Sequence, residues 1–118
     1  MSTRTSPATS ARHGVGISLI RGEEAAAIRD QLLRTQPQVE IADRGVYLKA
    51  AAAEEIVIDL ADLSERLGRA LTIEDVLIVV ASYFGEIDPQ RGSGPGSGRL
   101  ILRAENLTAV SEPEKNSR

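Results

Sequence analysis

The chain contains no cysteine and no tryptophan, and only one histidine. The lack of cysteine removes disulfides, thiolate nucleophiles and iron–sulfur ligation together, and it suits a reducing compartment. The single histidine, His13, lies in a polar N-terminal stretch. A His-based nucleophile triad would need that imidazole held rigidly against a serine and a carboxylate. Zinc sites built on Cys and His are excluded by count. Long apolar runs are also missing. The longest, Val76 to Ala81, is far too short to span a membrane, and the segment from Met1 to Gly14 has no signal-peptide core. A cytoplasmic protein without a membrane partner is expected. Charge of one sign is scarce as well: 14 basic and 17 acidic residues give a net charge of −3. They are interspersed, with no basic stripe and no aromatics alternating with Lys or Arg, which argues against a nucleic-acid partner.

What is present is a chain of 118 residues, enough for one modest domain. Tyr47, Tyr83 and Phe84 are the only aromatic residues apart from His13, so the core must be built from Leu, Ile, Val and Ala. Residues 1–14 read as a flexible arm and residues 105–118 as a flexible tail, leaving one folded unit over residues 15–104. Inside it, Gly92 to Gly98 reads Gly-Ser-Gly-Pro-Gly-Ser-Gly and is expected to form a supple loop.

Val15 to Ile20, apolar and bounded by glycines, reads as a strand. Glu23 to Arg34 reads as a helix. Ala25, Ile28 and Leu32 form its apolar stripe, and Glu23, Glu24 and Arg34 are placed as the helix dipole favours. Alternating residues around Val39–Ile41 and Val46–Ala50 predict two strands joined at Asp43-Arg44-Gly45. Ala50 to Glu55 is read as a turn, and Ile56 to Leu60 as a further strand. A second helix is expected from about Leu60 to Leu67, closed by Gly68. Thr72 to Asp75 has capping character and predicts a single helical turn. Leu77 to Phe84 reads as an uninterrupted apolar strand in the middle of a sheet, and Leu100 to Arg103 as the last strand. The order is a doubled β-α-β-β unit with two main helices. The fold class is α+β, with mostly antiparallel strands.

No motif assembles an active site. The glycines at residues 92–98 are followed by Arg99-Leu100 and a strand, not by the Gly-Lys-Ser/Thr and helix of a phosphate loop. Gly14 and Gly16 precede a strand, so they cannot form the turn of a dinucleotide fold. Ser93 and Ser97 lack the spacing of a nucleophile elbow. The adjacent carboxylates Glu23-Glu24, Glu54-Glu55 and Glu74-Asp75 lie at element ends. Helix-start preference accounts for two of these pairs, so a carboxylate-based enzyme is a poor fit. No Glu-x-x-His pair exists to hold a di-iron centre.

Several short features nevertheless occur in a definite order. They are Val15-Gly16 with Ile20-Arg21-Gly22, Asp43-Arg44 before Tyr47, Leu67-Gly68-Arg69, and Ala81-Ser82-Tyr83 with Gly85 and Ile87. From Val15 to about Leu102 the chain resembles the effector, or coupling, proteins of soluble multicomponent di-iron monooxygenases. The chain departs from that pattern at Phe84, where a small residue is common, at Ala70-Leu71, and in the length of the glycine loop. The resemblance implies a non-catalytic protein with no cofactor, whose partner is the di-iron hydroxylase component, a reductase or ferredoxin being reached only indirectly. It implies that binding shifts the hydroxylase between conformations, coupling NADH oxidation to hydroxylation or epoxidation. A small alkene or an aromatic compound is the expected substrate of that system. Carried onto this sequence, it makes Ala81, Ser82, Tyr83, Phe84 and Gly85 partner-binding candidates, with Asp43, Arg44 and Tyr47 beside them. Each has a plainer reading: Tyr83 or Phe84 facing the core, Gly85 permitting a bulge, and Asp43-Arg44 forming a turn. A generic interaction module unrelated to oxygenation is the alternative function.

Overall fold

The computed structural model describes residues 14–105. His13, the arm before it and the tail from residue 106 lie outside the described residues. The elements in order are β1 (Val15–Ile20), α1 (Glu23–Thr35), β2 (Glu40–Asp43), β3 (Tyr47–Ala52), β4 (Glu55–Asp59), α2 (Leu60–Leu67), α3 (Ile73–Val79), β5 (Val80–Phe84), β6 (Glu86–Arg91) and β7 (Gly98–Arg103). The α+β class holds, and all five strand ladders are antiparallel. The second half carries one helix and one strand more than a doubled β-α-β-β unit.

Three stretches differ from the sequence reading. Of Ala50 to Glu55, read as a turn, only Ala53-Glu54 turns; Ala50–Ala52 belongs to β3 and Glu55 to β4. Residues 77–79 complete a helix instead of opening a strand. The Thr72 side chain accepts from the Asp75 backbone N–H, and the Asp75 carboxylate accepts from the Thr72 N–H, a reciprocal cap that starts α3. Only Val80–Phe84 remains extended, and it is an edge strand, not a central one. The unforeseen β6 contains Pro89 and mostly polar residues, a composition suited to a sheet edge.

The strands form a four-stranded sheet ordered β2-β3-β1-β5 and a three-stranded sheet ordered β4-β7-β6. β3 runs on into β4 through Ala53-Glu54, and β5 into β6 through Gly85. β1 lies between β3 and β5, and β7 between β4 and β6. The molecule is therefore three bent rows crossing one seam, with the middle row made of β7 followed by β1. At the seam Val15 pairs with Ala52, Gly16 with Phe84, and Arg103 with both Glu55 and Glu86. Gly85 makes the bend with φ +105°. A Cβ there would lie 2.6 Å from the Arg103 carbonyl oxygen and 3.0 Å from Val15 Cγ2.

One continuous core joins both sheets to the helices. Val15, Ile17 and Leu19 of β1 and Leu100 and Leu102 of β7 meet Ala25, Ile28 and Leu32 of α1, the stripe expected from the sequence. Leu60 and Leu63 of α2 and Ile73 and Val76 of α3 complete it. The family-like Leu67-Gly68-Arg69 has a structural explanation. Gly68, with φ +71°, caps α2, and the Arg69 guanidinium then reaches Glu23 at 2.7 Å and Glu24 at 2.6 Å in the first turn of α1. The loop at residues 92–98 is more ordered than expected: Ser97 Oγ donates to the Gly94 carbonyl at 2.6 Å, and the Gly96 N–H donates to the Leu71 carbonyl at 2.8 Å.

Candidate functional site

Residues paired across an antiparallel ladder carry their side chains to the same face, and neighbours along a strand alternate. This rule sorts the interface candidates. Val15, Ile17 and Leu19 point into the core, so Gly16, Ser18 and Ile20 point outward. Register then adds Tyr47, Lys49 and Ala51 of β3, Glu40 and Ala42 of β2, and Ser82 and Phe84 of β5. Ser18 and Gly16 are buried at the centre of this outer face, while Ser82, Lys49, Tyr47, Ile20 and Phe84 around them are exposed. The floor is small and uncharged, and aromatic side chains stand at opposite ends, Tyr47 beside Ile20 and Phe84 above Gly16.

Phe84 is held by what Gly16 lacks. A Cβ on Gly16 would come within 2.3 Å of Phe84 Cε1, so the ring rests directly on the glycine backbone while staying 42% exposed. Tyr83 pairs with Ile17 and so takes the core side, yet at the sheet edge it remains 47% exposed. Neither aromatic is enclosed, because β5 has a neighbour on one side only. Ala81 sits where the register slips between Ser18↔Ser82 and Leu19↔Val80, a β-bulge one step before Ser82. Gly85 is the seam bend described above.

Asp43 and Arg44 belong to the β2–β3 hairpin. The Asp43 carboxylate is ion-paired to Arg21 and accepts from the Gly45 N–H at 2.9 Å, while Arg21 Nε donates to the Gly45 carbonyl at 2.6 Å. The Arg21 guanidinium, with the Gly45 N–H second, holds the Asp43 carboxyl below its usual range. Arg21 and Asp43, which came from two separate sequence features, thus form one lock on the hairpin that presents Tyr47. Arg44 is exposed, and its N–H donates to the Tyr47 carbonyl at 2.9 Å.

Sequence reading missed the partners of Gln31 and Gln36. The buried Gln31 amide donates to the Asp59 carbonyl (3.0 Å) and to Asp62 Oδ2 (2.9 Å), and it accepts from the Asp59 N–H (2.8 Å). Gln36 donates to the Glu55 carbonyl at 3.1 Å and accepts from the Val57 N–H at 2.7 Å. Two side chains of α1 and its C-cap thereby occupy the outer edge of β4 as another strand would. No local pattern announces this, because it depends on where α1 crosses the sheet.

Among the described residues, no three His, Asp or Glu side chains gather closely enough to hold a metal ion. No described helix is long and apolar enough to cross a membrane. The family model described as the MmoB/DmpM family matches residues 13–93, which covers the outer face, both hairpin strands and β5. The chain belongs to the MmoB/DmpM family. Members of this family are regulatory, non-catalytic components of di-iron monooxygenase systems. Solved structures share the fold. A phenol hydroxylase–regulatory protein complex contains a chain 21% identical to this one, with a TM-score of 0.64 over 76% of this chain and 97% of that one. A second such complex gives 20% identity and a TM-score of 0.62 over 76% and 98%. The soluble methane monooxygenase regulatory protein B is 22% identical, with a TM-score of 0.63 over 90% of this chain and 74% of that one. No curated protein sequence matches the chain.

Proposed function

We propose that this MmoB/DmpM-family chain docks on the di-iron hydroxylase of a cytoplasmic monooxygenase through the outer face of its four-stranded sheet and strand β5. The free energy of that contact favours one hydroxylase conformation over another, which changes the access of substrate, oxygen and electrons to the buried iron centre. NADH oxidation then yields hydroxylated or epoxidised product instead of peroxide. A small alkene or an aromatic compound is the substrate that goes with this reading.

The observation that carries it is the outer face itself. Ser82, Phe84 and Tyr47, three of the residues singled out by family likeness, lie on one exposed surface that also carries Lys49 and Glu40. Aromatic side chains are enriched at the cores of protein interfaces. The two complexes that share the fold pair a regulatory protein with a phenol hydroxylase. Titration calorimetry of the chain against its cognate hydroxylase tests the reading. Phe84→Ala is expected to weaken binding by about tenfold or more, as loss of an aromatic anchor does. The substitution Leu33→Ala, on an exposed α1 position away from this face, should leave binding unchanged. Equal affinity for the Phe84 variant and the native chain would contradict the assignment of the face.

A further inference from the structure

The tip of the β2–β3 hairpin is bonded far more completely than its exposure demands. The ladder ends at Asp43↔Leu48, and beyond it every backbone N–H and carbonyl from Arg44 through Val46 has a partner. The Arg44 N–H donates to the Tyr47 carbonyl at 2.9 Å, the Gly45 N–H to Asp43 Oδ1 at 2.9 Å, and the Val46 N–H to the Arg44 carbonyl at 3.1 Å. Arg21 supplies the rest. Its backbone N–H donates to the Val46 carbonyl at 3.1 Å and its Nε to the Gly45 carbonyl at 2.6 Å, while its guanidinium pairs with Asp43. Residues 43–47 are all exposed, so water would satisfy these groups equally well. An exposed ion pair also adds little to stability. What these bonds fix is shape.

That shape is an uncommon one. The bond from Val46 to Arg44 closes a γ-turn at Gly45, whose φ of +85° belongs to the rarer, strained form. A Cβ on Gly45 would meet nothing within 4 Å, so φ alone calls for glycine there. Next to it stands an apolar side chain, where turns normally carry Gly, Asn, Asp or Ser. Val46 is 71% exposed. Tyr47 beside it, and Ile20 paired with Tyr47 across the β1–β3 ladder, are exposed too and lead from the tip onto the outer face.

We propose that Arg21 is a positioning residue for docking. With Asp43 it holds the tip in the one shape that seats Val46 in an apolar recess of the hydroxylase, at the Tyr47 end of the outer face. A loop already fixed loses less conformational freedom on binding, so the clamp raises affinity without itself touching the partner. Arg21 thus acts through Val46 and not through its charge. The identity of the partner rests on the docking reading above; the clamp does not.

Relaxation of the backbone amides in the free chain tests the clamp with no partner present. Gly45 and Val46 should be as rigid as the strands, and Arg21→Gln should make them mobile on the ps–ns timescale while the melting curve stays close to that of the native chain. Titration calorimetry against the cognate hydroxylase tests what the clamp does. Val46→Ser should weaken binding about tenfold, as loss of a buried valine side chain does, and Arg21→Gln about fivefold. The double variant should be no weaker than Val46→Ser, because a clamp has nothing to position once that side chain is gone. Arg21→Lys keeps the charge but not the planar fork that reaches Gly45 and Asp43 together, so it should lose affinity as Arg21→Gln does. A mobile tip in the native chain, full affinity for Val46→Ser, losses that multiply in the double variant, or full affinity for Arg21→Lys would each overturn the proposal. The docking reading fails separately: binding that weakens with Val46→Ser but not with Phe84→Ala would move the contact off the sheet face and leave the clamp standing.

Discussion

At the scale of single residues, the surface is set by what small side chains permit. Gly16 is needed less for its backbone freedom than for the space above it, which the Phe84 ring fills. Gly16→Val should push that ring off the face at a stability cost of about 1–3 kcal/mol, the usual range for overpacking. Activation of the hydroxylase should fall as far as it does for Phe84→Ala, and a melting curve beside an activity titration separates the two effects. Gln31 works in the opposite way, by using both of its amide donors and its carbonyl oxygen. Gln31→Leu would leave the part-buried Asp59 N–H without its partner, at a cost of about 1 kcal/mol or more, while the Asp59 carbonyl keeps the first hydrogen bond of α2. A reduced urea midpoint, together with a rise in aggregation from the uncovered β4 edge, is the expected outcome. Glycines at 16 and 85 were visible in the sequence as members of a family-like pattern. Their reasons, a ring resting on one and a seam crossing the other, exist only once β1, β5 and β7 are adjacent.

At the scale of elements, local signals were read well where they were periodic or capped. β1 falls on Val15–Ile20 as expected, α1 extends the reading by one residue, and α2 ends at the glycine that closes it. The failure at Leu77–Val79 is instructive. A short apolar run reads equally as buried helix or buried strand, and periodicity does not separate them. The deciding signal was the Thr72–Asp75 cap, read as one turn although it starts a two-turn helix. Thr72→Ala should therefore cost about 1 kcal/mol, measured as a lower denaturation midpoint. Ending the helix at Val79 also makes β5 short and places it at an edge. That is why Tyr83 and Phe84 remain exposed when a central strand would have buried one of them. Which candidates share a face could not be read from sequence, because a one-residue change of register exchanges the faces. The bulge at Ala81 makes such a change inside the strand itself.

At the scale of the whole molecule, the two sheets and three helices of the described residues are fastened by a few polar ties. The Arg69 guanidinium links the end of α2 to the start of α1. The Asp62 carboxylate gathers Gln31, Arg34 and Arg66, each at 2.9 Å. The Gln31 hydrogen bond first, then Arg66 and Arg34, hold the Asp62 carboxyl below its usual value. A carboxyl lowered on folding stabilises the native state above its unfolded pKa, near 4, and that contribution disappears as pH falls through the lower folded value. Asp62→Asn should thus lower the melting temperature at neutral pH and make little difference at pH values well below that range. A stability gap between the two proteins that stays constant with pH would contradict the assignment. The seam belongs to this scale too: residues 15 and 103 meet there from opposite ends of the described chain, a closure no local reading contains. The central claim is that this molecule affects a reaction only through contact with another protein. The most direct measurement is product formed per NADH consumed by reconstituted hydroxylase and reductase as the chain is titrated in. The account predicts that the ratio climbs towards one and saturates near stoichiometric chain. A ratio and rate unchanged to large excess would contradict it.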